Sequence, residues 1–449
     1  MKNIQGKKIS VIGAVRSGIG AAKLAKKLGA VPFVSDSGSR QKLQDAIKLF
    51  DEEGIKYECD EHTDAIYDCD FIITSPGVPS DSPVLQKALD KKIKIYSELE
   101  FSSWFCKGNV FSITGTNGKT TTTTLCGHVF NYCGLKTYLA GNIGYAFSEI
   151  ALDVKENECV ALETSSFQLD NIEEFKPKIS AILNITPDHL DRYDNNIQNY
   201  INSKLRVFEN QDENDYLILN ADDKHTPGII SNKKVNVLYF SLQKELENGA
   251  YLKNNAISFV RNGINEFTCG VNEISLKGEH NYANAMAVII MAKLFNLDNK
   301  KITQALGNFP GVEHRLEFVR DINGVKYYND SKATNVDSVW YALRSFDQPV
   351  FLILGGKDKG NEYNQIKKLV ESKVKKIYAI GSSAEKVFNF FHKSVKVELK
   401  GTIDDCIIAA NKEAREGEVV LLSPACASFD MFDNFEHRGK VFKEAVNKL

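Results

Sequence analysis

The chain has 449 residues, and its 56 lysines and arginines nearly balance 58 aspartates and glutamates, for a formal charge of −2. That length exceeds one hydrophobic core and calls for two to four domains, while the balanced charge offers no basic field for nucleic acid or an anionic membrane. A hydrophobic content of 43% fits a globular chain, and no apolar run approaches the ~20 residues of a membrane-spanning helix.

Strand-then-glycine units recur at residues 9–13, 110–115, 350–356 and 377–381, with helix-like mixtures of polar and apolar residues between them. The alternation predicts an α/β architecture with mostly parallel sheets. The lysines near the N-terminus precede an apolar run too short for a secretory signal, and that run ends in a glycine turn. Nine scattered cysteines, with no C-x-x-C pair, argue against a disulfide framework or a zinc ribbon and point to a reducing cytosol.

Residues 1–105 form the first expected region. A strand over 9–13 meets the turn Ala14-Val15-Arg16-Ser17-Gly18, and a helix follows over 19–28. The pattern is close to a dinucleotide-binding fingerprint, but Val15 stands where the second glycine belongs. A strand over 31–35 ends at Asp36-Ser37, and another over 71–74 runs into Ser75-Pro76-Gly77. Open α/β sheets bind ligands at such strand ends, so these turns point to a nucleotide-related pocket. Ordinary turns of a Rossmann-like fold are the competing reading.

Residues 106–308 form the second region. A strand over 110–113 leads into Gly115-Thr116-Asn117-Gly118-Lys119-Thr120 and then a helix that begins with Thr121. Glycines let backbone N–H groups approach an anion, the helix N-terminus adds partial positive charge, and Lys119 supplies a full one. The Thr120 hydroxyl is placed to reach a bound Mg²⁺. The loop is shorter than the usual P-loop, whose further glycine belongs near Ile113, and the bland alternative is a strand-to-helix turn with a surface lysine. Asn142 lies in a glycine-rich turn, and Glu163 ends a strand over 159–163. Nucleotide enzymes place a Mg²⁺-binding acid at such a strand end, although a helix-capping glutamate reads the same way.

A strand over 179–185 runs into Thr186-Pro187-Asp188-His189, where His189 is a metal ligand or a structural histidine. A helix over 197–209 carries the apolar stripe Ile201, Leu205 and Phe208, with Lys204 on the stripe's edge between Tyr200 and Phe208. A lysine there snorkels or has a task. Farther on, Asn281 and Asn284 share one face of an alanine-rich helix at i, i+3.

Residues 309–449 form the third region. Arg315 lies in a turn. Strands over 325–328, 350–354 and 419–422 lead to the loops N-D-S-K-A-T-N, G-G-K-D-K-G and S-P-A-C-A-S-F-D. Three polar, partly cationic loops after strands point to a pocket for an anionic ligand, solvated loops being the alternative.

These motifs together resemble the Mur ligases, the ATP-dependent amide-forming family of peptidoglycan synthesis. G-T-N-G-K-T, G-N-I-G, E-T-S-S-F-Q-L, D-H-L-D-R, H-N-Y-A-N, H-R and the three loops above follow one another in that order. Residues 330–335 and 423–430 are similar to the D-glutamate-adding branch; the diamino-acid-adding branch carries D-N-P-R at the former position.

The resemblance implies a Rossmann-like N-terminal domain for the UDP end (1–105), a central P-loop ATPase domain with a parallel sheet (106–308), and a Rossmann-like C-terminal domain for ATP and D-glutamate (309–449). It implies a cytoplasmic, monomeric ligase that uses ATP and Mg²⁺, with neither nucleic acid nor membrane as a partner. Its reaction joins D-glutamate to UDP-N-acetylmuramoyl-L-alanine through an acyl phosphate.

By the same resemblance, Gly115, Thr116, Asn117, Gly118, Lys119, Thr120 and Thr121 hold the ATP phosphates, with Thr120 also on Mg²⁺. Glu163, His189 and a carbamylated Lys204 arrange Mg²⁺ near the acyl phosphate, with Asn142 nearby as a substrate-binding residue. Asn281, Asn284, Arg315 and Asp330 contact adenosine and phosphates. Lys332, Thr334, Lys359, Ser428 and Phe435 form the D-glutamate pocket. Ser17, Asp36, Ser37 and Ser75 take the UDP end, although Gly38 stands where the family often has a basic residue and Arg40 comes later.

The nearest rival is a folylpolyglutamate synthase, whose phosphate loop lies near the chain start; here a whole domain's length precedes it. A nucleotide-switched binding protein and a nicotinamide dehydrogenase are more distant readings, the latter weakened by Val15.

Overall fold

The computed structural model describes residues 2–188, 190–226, 234–358 and 360–449. The chain divides into two compact units, residues 1–275 with 281–309 and residues 276–280 with 310–449. It contains three sheets of five, nine and six strands.

The first sheet runs in the order Lys56–Glu58, Val31–Ser35, Lys8–Ile12, Phe71–Thr74, Lys94–Ser97, all parallel. The chain leaves Lys8–Ile12 to one side and returns on the other at Phe71–Thr74. The C-terminal ends of those two strands therefore flank the crevice where such sheets take ligands. The helix Arg16–Lys27 buries Gly18, Gly20, Ala21 and Ala22, so it can lie close to the sheet. A Cβ on Gly18 would fall 1.8 Å from the Gly13 carbonyl oxygen, which makes glycine obligatory there.

The nine-stranded sheet of the same unit sets Asn109–Thr114 between Ile179–Ile182 and Cys159–Glu163. These strands are buried on both faces and are mainly apolar, broken by the buried Ser112 and Ser180. The helix Glu279–Leu294 is buried almost throughout its Ala285 to Ala292 stretch, which explains its apolar sequence without a polar stripe.

Three features depart from the sequence-based expectations. The central sheet is not wholly parallel, because Gly249–Lys253, Ala256–Arg261 and Ile264–Gly270 extend it as an antiparallel meander. Its turns, Asn254-Asn255 and Asn262-Gly263, hold all four residues at positive φ, the conformation that tight hairpins demand and that Asn and Gly tolerate. The strand expected over 179–185 stops at Ile182, because the next residues turn to the phosphate loop: Thr116 N donates to Asn184 O at 2.9 Å. The helix expected over 197–209 is α-helical over Ile197–Leu205 and tightens to a 3₁₀ turn over Arg206–Phe208. Its inward face is Tyr200, Ile201, Ser203 and Lys204, while Leu205 is half-buried. Lys204 thus lies inside the stripe rather than on its edge.

The six-stranded sheet of the second unit runs Glu317–Ile322, Val325–Asn329, Val419–Leu422, Val350–Gly355, Val374–Ile380, Lys396–Leu399. Its first pair is antiparallel and the others are parallel. Leu352 and Leu421 face one core and Ile353 and Val420 the other, so both faces are covered. Among the described residues no helix is long and apolar enough to cross a membrane.

Candidate active site

In the phosphate loop, Gly115 and Gly118 take φ of 150° and 84°. A Cβ on Gly118 would lie 2.5 Å from Asn284 Oδ1, so the loop and the asparagine helix pack without room for a side chain. Asn284 and Asn281 are both buried, with Asn284 Nδ2 donating to Asn281 Oδ1 at 3.5 Å. Asn117 N donates to Asn184 Oδ1 at 2.8 Å and Asn184 Nδ2 donates back to Asn117 O at 3.0 Å, which pins the tip. Thr116 Oγ1 donates to Thr186 O at 2.9 Å and meets the Tyr200 hydroxyl at 3.2 Å. Thr120 and Thr121 are buried at the helix start, and Thr121 Oγ1 has no hydrogen-bond partner among the described residues. Lys119 Nζ curls back to donate to Gly115 O and Thr116 O at 2.8 and 2.7 Å.

Two further buried side chains lie nearby, Glu163 on the strand paired with the one that leads into the loop, and Lys204, which donates to the loop. Glu163 ends the strand Cys159–Glu163 and is 1% exposed. Its Oε1 accepts from Asn142 Nδ2 at 2.8 Å and its carbonyl accepts from Asn142 N at 3.0 Å. Its Oε2 is buried with no hydrogen-bond partner among the described residues. An uncompensated carboxylate oxygen is costly, and a hard cation with oxygen ligands would satisfy it.

Lys204 is also 1% exposed; its Nζ donates to Gly115 O at 2.9 Å and lies 4.5 Å from the Tyr200 ring centroid. Burial, and then the Lys119 charge, hold its pKa well below the ordinary lysine value, against an opposing pull from Asp188 and Asp170. Lys119, Asn142, Lys204 and Asp188 share a cleft of about 330 Å³ with Gly77 and Arg192. His189 lies outside the described residues.

The turns of the first sheet meet at its crevice. Asp36 accepts from Ala14 N at 2.6 Å and from Gly38 N at 2.7 Å, so its carboxylate organises both turns. Ser17 Oγ donates to Ser75 Oγ at 3.3 Å. Ser37 is exposed, and the Arg40 guanidinium turns to the Tyr57 hydroxyl at 3.4 Å rather than into the vacant basic position.

In the second unit, Asp330 directly follows the strand Val325–Asn329 and is 5% exposed. Ser423 Oγ donates to it at 2.8 Å and Leu316 N at 3.2 Å. Burial pushes its pKa up to about 7, although Arg315 pulls the other way. Arg315 Nε is buried with no hydrogen-bond partner among the described residues. Lys332 Nζ lies 5.2 Å from the Phe435 ring centroid; Thr334 is half-buried and Ser428 is 2% exposed. Lys359 lies outside the described residues.

Sequence reasoning missed Arg438, which is 1% exposed. Its Nε and NH2 donate to Ser331 Oγ and Ser331 O at 2.9 and 2.7 Å, and its NH1 donates to Cys426 O at 3.0 Å. It therefore ties the loop of Lys332 to the loop of Ser428, one helical turn beyond Phe435. The available signal was an arginine three residues after Phe435 and four before Phe442, on the inward face of the helix Phe435–Asn447.

The chain matches the family profiles of the MurD N-terminal domain over residues 8–84, the Mur ligase middle domain over 113–292, and the Mur ligase, glutamate ligase domain over 314–426. It belongs to the Mur ligase family. Two relatives called UDP-N-acetylmuramoylalanine--D-glutamate ligase are similar over the whole length. That of Chloroherpeton thalassium is 43% identical over 100% of this chain and 99% of its own. That of Christiangramia forsetii is 44% identical over 99% and 100%. The structure of the UDP-N-acetylmuramate-alanine ligase of Thermotoga maritima shares the fold, with a TM-score of 0.63 at 19% identity over 98% of this chain and 99% of that one.

Proposed function

We propose that the chain joins D-glutamate to UDP-N-acetylmuramoyl-L-alanine at the expense of ATP, in cytoplasmic synthesis of peptidoglycan precursors. The observation that carries this is its full-length likeness to ligases of that name. A carboxylate is a poor acyl donor. Transfer of the ATP γ-phosphoryl group to the substrate carboxylate, releasing ADP, gives an acyl phosphate. The D-glutamate amine attacks its carbonyl carbon, and the tetrahedral intermediate expels phosphate to leave the amide. The protein supplies positioning and charge neutralisation rather than a nucleophile.

In this reading residues 1–105 take the UDP end through Ser17, Asp36, Ser37 and Ser75. Residues 106–308 hold ATP on residues 115–121, with Asn281 and Asn284. Residues 309–449 bring Arg315 and Asp330 for the nucleotide, and Lys332, Thr334, Lys359, Ser428 and Phe435 for D-glutamate. Glu163, Thr120, His189 and a carbamylated Lys204 would hold Mg²⁺, which neutralises phosphate charge when bound. Glu163 Oε2, buried with no hydrogen-bond partner among the described residues, supports the cation. The buried, low-pKa amine of Lys204 supports the carbamate, since CO₂ adds to neutral amines. The enzyme works as a monomer, with neither nucleic acid nor membrane as a partner.

Phosphate release, measured with ATP, UDP-N-acetylmuramoyl-L-alanine and one amino acid at a time, tests the reading. Release is expected with D-glutamate and not with L-glutamate or L-lysine. Release without any amino acid would instead mark a nucleotide-hydrolysing switch, and equal use of L-lysine another branch of the family.

A further inference from the structure

Arg16 opens the helix that follows the Gly13 to Val15 turn, beside Ser17 of the UDP end. Its guanidinium reaches the turn that follows the strand Thr137–Gly141 of the nine-stranded sheet. NH2 donates to Gly141 O and NH1 to Gly144 O, each at 2.8 Å. Those carbonyls are the first and last of the four-residue turn whose second residue is Asn142, the partner of Glu163 through both backbone and side chain. The turn is built for close approach: Gly141 and Gly144 have φ of 97° and 63°, and a Cβ on Gly141 would sit 2.2 Å from Glu163 O. Gly141 is buried, but Asn142 and Gly144 are exposed, so packing does little to hold the outer part of the turn. A planar fork donating to both ends of a turn fixes it in a way that a lysine, a single point donor, cannot.

We propose that Arg16 is a positioning residue that couples the N-terminal substrate pocket to the cation-binding geometry of Glu163. Substrate held against Ser17 and Ser75 orders the segment that begins the helix. Arg16 passes that order to the 141–144 turn, and Asn142 then holds Glu163 with Oε2 presented to the cation. This rests on the proposed assignment of the UDP end and of Glu163.

The test uses the full chain without ATP or D-glutamate, so that no turnover intervenes. Mn²⁺ binding is followed by electron paramagnetic resonance, with and without saturating UDP-N-acetylmuramoyl-L-alanine, and substrate binding by calorimetry. In the native protein, substrate is expected to tighten Mn²⁺ binding by about tenfold, the scale on which hydrogen-bond partners of metal ligands act. Arg16→Met should bind substrate yet lose the tightening, and Arg16→Lys should recover part of it. In turnover, Arg16→Met should lower kcat while the KM for D-glutamate stays constant. Tightening that survives in Arg16→Met, with or without a lowered Tm, overturns the proposal and leaves Arg16 a structural contact. So does a native protein that binds substrate with no effect on Mn²⁺. Failure of the native protein to bind the substrate at all overturns the functional reading as well, which separates the two failures.

Discussion

Lys119 and Lys204 donate to the same oxygen, the carbonyl of Gly115, at 2.8 and 2.9 Å. Burial first, and then the repulsion of an ammonium group so close, drive Lys204 towards its neutral form. A neutral amine that adds CO₂ at its nitrogen and releases one N–H proton to solvent becomes a carbamate anion, which turns the repulsion into attraction and creates an oxygen ligand for Mg²⁺. Lys204→Ala should therefore be nearly inactive and partly restored by formate or acetate. The native protein in ¹³C-bicarbonate should show a carbamate carbon resonance that the variant lacks. A fully active variant would make Lys204 structural.

The same lysine has a signature in stability. Its folded pKa lies below its unfolded value, so between the two the unfolded chain binds more protons. The unmodified protein should gain stability as pH rises from neutrality towards the ordinary lysine pKa of about 10.4. In CO₂-free buffer Lys204→Met should melt above the native protein at pH 7, with the gap narrowing at pH 10. A gap independent of pH would mean that Lys204 is not the titrating group.

Lys119→Ala leaves the backbone N–H groups of the loop in place and removes the full charge that folds back onto it. Turnover should fall by at least about a hundredfold, the scale of losing one electrostatic stabiliser of the transition state. The melting temperature should change little, since the side chain is half-buried and its hydrogen bonds to Gly115 O and Thr116 O lie within its own loop. Near-native ligation by the folded variant would remove Lys119 from the chemistry.

What was legible from sequence was local. The strand, glycine pair, lysine and threonine of residues 109–121 carry their chemistry in one short stretch, and the strand Cys159–Glu163 ends where its apolar run ends. The low-pKa environment of Lys204 was partly visible through Tyr200 one turn away, but its full burial needed the tertiary fold. The hairpins of residues 249–270 turn at Asn254-Asn255 and Asn262-Gly263, but their strands extend the sheet's edge and have no apolar run strong enough to stand out in sequence. The Glu163–Asn142 pairing and the Arg16 contacts join residues distant in sequence, and no local pattern encodes them.

Asp330 is a buried carboxyl whose pKa of about 7 lies above its unfolded value of about 3.9. Between those values the folded state binds the extra proton, so its contribution favours folding below pH 4 and is lost as pH rises through 7. Asp330→Asn keeps an acceptor for Ser423 and abolishes the titration. Thermal melts should coincide near pH 4, and the variant should melt higher at pH 8. A native protein no less stable than the variant at pH 8 would place the ionised carboxylate in a better-compensated setting than its burial implies.

Arg438 offers the sharpest separation of binding from chemistry. Its guanidinium donates to Ser331 O, Ser331 Oγ and Cys426 O, joining the loops that carry Lys332 and Ser428. Burial lowers its pKa to about 10, which still leaves it charged at neutral pH. Arg438→Met preserves much of the stem but strands the buried acceptors, at a cost of about 1–3 kcal/mol for each one left unsatisfied. The loops should then drift apart, and the KM for D-glutamate should rise at least about tenfold, the factor that ~1.4 kcal/mol of lost binding represents. The KM for UDP-N-acetylmuramoyl-L-alanine should be unchanged, because that substrate is assigned to Ser17, Asp36 and Ser75 on another sheet. Arg438→Lys should recover less than half of the loss, since one ammonium cannot span Ser331 and Cys426 together. Equal rises in both KM values would mean that Arg438 supports the fold as a whole rather than the amino-acid pocket.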